Sequence, residues 1–90
     1  MVGESTLREP PEYVKKAFIC ALYSACHGTP KRHVPPEAIR AKMRNDARPY
    51  FRKALKWALR EGIAQRKGGT KSYAITPYGI QLALEICFEE

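Results

Sequence analysis

Apolar positions along the chain fall into segments with different periods. From Glu12, Val14, Ala17, Phe18, Ala21, Leu22 and Ala25 recur at helical spacing. Pro10-Pro11 stands before them as a stiff entry, and Gly28 and Pro30 follow as a left-handed stop and a block to resumption. HGTPKRHV then reads as a turn with a short strand at His33-Val34. Pro35-Pro36 opens a second short helix, PPEAIRAKM, with Ile39 and Met43 on one face, ending near Arg44-Asn45. A third helix, ARPYFRKALKWALRE, is capped by Asp46 or begins at Arg48-Pro49, and it stops at Gly62. The period then changes to two. Ile63-x-Gln65 and Tyr73-x-Ile75 alternate around a Gly68-Gly69 tip, which predicts a hairpin with a loop longer than two residues. Thr76-Pro77 supplies an N-cap and first turn for a fourth helix. Its apolar residues Ile80, Leu82, Leu84, Ile86 and Phe88 lie on more than one side.

The predicted order is helix, short strand, helix, helix, strand, wing, strand, helix. The expected class is α+β and mostly helical: a winged helix-turn-helix with a three-helix core, a two- to three-stranded antiparallel wing and an extra C-terminal helix. Residues 1–9 are expected to be a flexible tail and 10–90 the domain. Ninety residues suffice for one small core. With 44% hydrophobic and 28% charged residues the composition is globular, not disordered. No apolar run approaches the roughly 18 residues that span a bilayer, and MVGESTLREPPE lacks the apolar centre of a signal peptide.

Charge adds direction to this outline. The net charge is +7, but residues 1–30 are neutral, 31–71 carry +10 and 72–90 carry −3. Such segregation suggests a polyanionic partner. On a helical projection of about 100° per residue, Arg48, Arg52, Lys53, Lys56 and Arg60 share one arc of the third helix. Tyr50, Phe51, Ala54, Leu55, Ala58 and Leu59 fill the other, with Trp57 at the border and expected in the core. A solvated face is the plain alternative, yet a face kept for solubility usually mixes signs. Here like charges repeat at i,i+4, each pair costing about 0.2–0.5 kcal/mol. The wing adds Arg66, Lys67 and Lys71. These eight residues form the expected nucleic-acid interface, mainly to phosphates. Arg48 and Arg52, near the helix start, are the candidates for base contact, and Tyr50 for the backbone.

The run FRKALKWALREGIAQRKGGTKSYAIT resembles the end of the linker-histone globular domain, with Leu55, Lys56, Gly62, Lys67, Gly68, Tyr73 and Ile75 fitting its helix, wing and closing strand. The resemblance spans about residues 10–76. It implies DNA contact by Lys53, Lys56 and Lys71, with Arg40, Lys42 and Arg44 as a second basic surface. The chain departs from that family after the wing. Where a Lys-rich tail would follow, it ends in TPYGIQLALEICFEE, similar to small winged-helix regulators whose last helix often dimerises.

The expected function is therefore double-stranded DNA binding as a chromatin or nucleoid component or a transcription regulator. Binding of structured RNA, or a protein-interaction role through the last helix, including homodimerisation, stand as alternatives. No enzyme, cofactor or membrane role is expected. His27 and His33 lack partners at metal-ligand spacing, and no catalytic motif is present. Cys20, Cys26 and Cys87, odd in number and without a CxxC, are expected to be free thiols in a reducing intracellular compartment, nucleus or nucleoid.

Overall fold

The computed structural model describes residues 9–69 and 71–88. Most of the expected N-terminal tail, residues 1–8, lies outside the described residues. Glu9, its last member, accepts from Lys15 Nζ at 3.0 Å.

Helix α1 spans Glu12–Ala25, α2 Pro36–Ala41 and α3 Phe51–Glu61, the last preceded by a 3₁₀ turn over Arg48–Tyr50. Strands β1 (Ala64–Arg66) and β2 (Tyr73–Ile75) form an antiparallel hairpin, and α4 (Pro77–Ile86) closes the chain. Ala64 pairs with Ile75, Gln65 with Ala74 and Arg66 with Tyr73. The short strand expected at His33-Val34 is a single bridge, with Val34 and Tyr73 exchanging two backbone hydrogen bonds of 2.8 Å.

Helix α1 is the centre of the core. α2, α3, α4 and β2 all pack on it. Its Val14, Phe18 and Leu22 are fully enclosed, together with Ile39 of α2, Ala54 and Ala58 of α3, and Ile75 of β2. Phe18 and Phe51 bring their rings to 5.9 Å, a separation typical of favourable aromatic pairs. Trp57 is buried, as its border position suggested, and the Lys15 ammonium sits 5.2 Å from the ring centroid.

The connections are set by local chemistry. Gly62 ends α3 at φ 79°, and the Ile63 amide reaches back to the Ala58 carbonyl at 2.9 Å. This left-handed cap satisfies orphan carbonyls and occupies Ile63, so β1 begins one residue later than the alternation implies. α1 ends differently from expectation. The first left-handed residue is His27 at φ 55°, followed by Gly28 at φ 69°, whose amide bonds the Tyr23 carbonyl at 3.0 Å. Asp46 is not a helix cap. It pairs with Arg44 at 2.7 Å in an exposed contact of the kind worth little.

Thr76 caps α4 as expected, its hydroxyl accepting from the Gly79 amide at 3.0 Å. The same hydroxyl lies within donating distance of the Gly62 and Ile63 carbonyls, tying the end of α3 to the start of α4. Gly79 is pressed against this junction. A Cβ there would run into the Ile63 carbonyl oxygen and come within 2.8 Å of Ile75 Cγ1. Gly79→Ala is therefore expected to destabilise the fold by about 2 kcal/mol or more. An unchanged denaturant midpoint would show that the junction is not close-packed.

The cysteines require a correction. Cys20 of α1 and Cys87, just past α4, form a disulfide, with Cα atoms 5.7 Å apart and a sequence separation of 67. Only Cys26 is free, and burial pushes its thiol pKa up, as for an inert core thiol. The parity of three cysteines does not exclude one bridge plus one buried thiol. The bridge points to an oxidising environment, which overturns the expectation of a reducing intracellular compartment, nucleus or nucleoid.

Among the described residues, no helix is long and apolar enough to cross a membrane.

Candidate nucleic-acid interface

α3 separates its two sides as its sequence requires. Phe51, Ala54, Trp57 and Ala58 are buried, Leu55 and Leu59 are half-buried, and Arg52, Lys53, Lys56 and Arg60 are exposed. Those four cations alone line a shallow concavity on the outer side of α3.

A larger groove, of about 630 Å³, runs between α2, the start of α3 and the wing. Its apolar lining comes from Pro36, Pro49, Phe51, Leu55 and Tyr73. Its charged lining is Arg40 from α2, Arg48 and Arg52 from around the start of α3, and Arg66 and Lys71 from the wing, against one acid, Glu37. Arg52 belongs to both concavities, so the two basic surfaces are continuous. The hairpin register produces part of this arrangement. Arg66 lies opposite Tyr73, and the buried Tyr73 ring anchors the wing beside α3. Beyond the paired strands, the Lys67 amide bonds the Ser72 carbonyl at 2.9 Å, which extends the ladder toward the tip. Gly69 at φ 75° then turns the chain. Lys67 is exposed but lines neither concavity.

The residues named as a second basic surface separate in space. Arg40 joins the main groove, whereas Lys42 and Arg44 line a different concavity with Tyr13, Lys16, Ala17, Cys20 and Ala21. Sequence reasoning missed Arg40 as a partner of the wing, because no periodicity within α2 reveals which element it faces. It also missed Lys16, whose only signal is its exposed place on α1.

Arg48 differs from the other cations. It is half-buried, and its guanidinium turns inward along the helix-turn-helix. Nε donates to the Arg40 and Met43 carbonyls, each at 3.1 Å, and Nη2 donates to the Ala41 carbonyl at 2.9 Å. Arg48, a candidate for base contact by its sequence position, has its guanidinium engaged with these backbone carbonyls.

Tyr50 is exposed and lies next to Tyr13. The Tyr13 phenol is raised above its ordinary pKa by desolvation and by its neighbour Tyr50. On α4, Gly79 and Ala83 are buried and Ile80, Leu82 and Ile86 are half-buried, while Tyr78 and Leu84 stand exposed. Phe88 is also exposed, its ring edge-on to Tyr23 at 5.4 Å. Among the described residues, no group of three or more His, Cys, Asp or Glu gathers to hold a metal ion.

A helix-turn-helix followed by an antiparallel wing and a closing helix defines the class of this molecule: a small α+β domain of winged-helix topology. No protein-family model, curated protein or solved structure matches the chain.

Proposed function

We propose that this domain binds double-stranded DNA through α3 and the wing, chiefly by contacts to phosphates. One observation carries the reading. Arg40, Arg52, Arg66 and Lys71, from three separate elements, line one groove in which Glu37 is the one acid among the described residues. That groove is continuous with the cationic outer side of α3. Keeping so many like charges together opposes folding, and a polyanion relieves the repulsion by releasing its own counterions. Neither Cys20 nor Cys87 lines the groove.

The test is a salt titration of binding to two unrelated duplexes of equal length, with structured RNA as competitor. If about six cations meet phosphates, log K falls with log salt at a slope near −5, an affinity loss of roughly 10³-fold between 50 and 200 mM. Similar affinities for the two duplexes indicate binding independent of sequence, and a large gap indicates sequence readout. Displacement of the duplex by far less RNA than unlabelled DNA overturns the DNA assignment.

A further inference from the structure

The walls of the groove repel one another. Arg40 on α2 faces a lining that includes Arg52, Arg66 and Lys71, and Arg48 stands among them with a fifth positive charge. α2 has six residues and no side-chain cap at its N-terminus. Its last carbonyls lack intrahelical partners, as at any helix end. A helix this short has little stability of its own and depends on what holds it. Ile39 anchors it to the core from within. Arg48 holds the opposite end, since its three donated bonds reach the carbonyls of Arg40, Ala41 and Met43. A planar guanidinium can grip several carbonyls in one fixed geometry, and it also satisfies the negative end of the helix. The lysine ammonium lacks that fork.

We infer that Arg48 is a positioning residue of the interface: it clamps the end of α2 to the start of α3 and so holds Arg40 across the groove from Arg52. This rests on the proposed groove being the polyanion site. The clamp adds to the buried Ile39, Met43 and Ala47 in fixing the helix-turn-helix angle. Its positive charge bears on the ligand only through the wall that it fixes.

Arg48→Lys and Arg48→Ala, each alone and combined with Arg40→Ala, separate the roles when duplex affinity is measured below each variant's melting transition. Both Arg48 variants are expected to bind roughly tenfold more weakly than the parent. Arg40→Ala is expected to weaken the parent but to add little in the Arg48→Lys background, because Arg40 is already displaced there. If Arg48→Lys binds like the parent while Arg48→Ala loses about one unit of salt slope, Arg48 touches phosphate directly and the inference is wrong. If both variants melt earlier yet bind like the parent, the clamp serves stability alone and the inference also fails. Should Arg48→Ala not fold, the Arg48→Lys pair with Arg40→Ala still decides. Absence of salt-dependent duplex binding in the parent refutes the proposed function itself, a result distinct from either of these.

Discussion

Replacing Cys20 and Cys87 with serine, or reducing the bridge, is expected to lower stability by roughly 4 kcal/mol. The bridge joins residues 67 apart, and the chain-entropy account of cross-links assigns about that much to a loop of this length. For a domain of this size the loss corresponds to a fall in Tm of about 15–30 °C. The effect is a large part of the 5–15 kcal/mol that small domains hold in all. α4 packs along α1 with Ala83 buried and Ile80, Leu82 and Ile86 half-buried, and the bridge adds a covalent tie just past its last turn. Thermal melts with and without reductant measure the difference, and the intact mass of the unreduced protein shows the loss of two hydrogens. A thiol titration that finds three free thiols in unreduced protein, with a midpoint insensitive to reductant, would contradict the bridge. Because neither cysteine lines the groove, duplex affinity measured below the lowered Tm should change less than about twofold.

Neutralising Arg52, Arg66 and Lys71 together is expected to weaken duplex binding by about 10²- to 10³-fold at 0.1 M salt. In the counterion-release account each lost phosphate contact removes about 0.9 from the slope of log K against log salt. Three contacts flatten the slope by nearly three units, and extrapolation from a common value near 1 M gives the stated loss. All three side chains are exposed, so the fold should tolerate the changes. Lys42→Ala is the matched control. It removes one exposed cation of the same basic segment from a different concavity, and its effect should be small. Equal effects of Lys42→Ala and of each groove substitution would mean that net charge, not the groove, governs binding.

Much of the fold is legible along the chain because its signals are local. Gly62 must stop α3 where the amphipathic run ends, and Thr76-Pro77 must start α4, since both depend on backbone chemistry within a few residues. The charged side of α3 follows from 3.6-residue periodicity alone. The features that eluded sequence reasoning depend on partners far along the chain. The projection puts Arg48 with the other cations of α3, but a 3₁₀ first turn and three carbonyls at and just past the end of α2 draw it inward. Arg40 carries no mark that it faces the wing. Cys20 and Cys87 meet only because α4 folds back along α1, which neither parity nor spacing encodes. At the end of α1, Gly28 is left-handed as its residue type favours, but His27 takes that conformation one residue earlier.

The central claim is that the groove between α2, α3 and the wing is a phosphate-binding surface. Its most direct test is the salt slope of duplex binding for the parent beside the Arg52, Arg66 and Lys71 triple variant. A parent slope near −5, reduced to about −2 in the folded variant, is the predicted result. Equal slopes for the two proteins would contradict it.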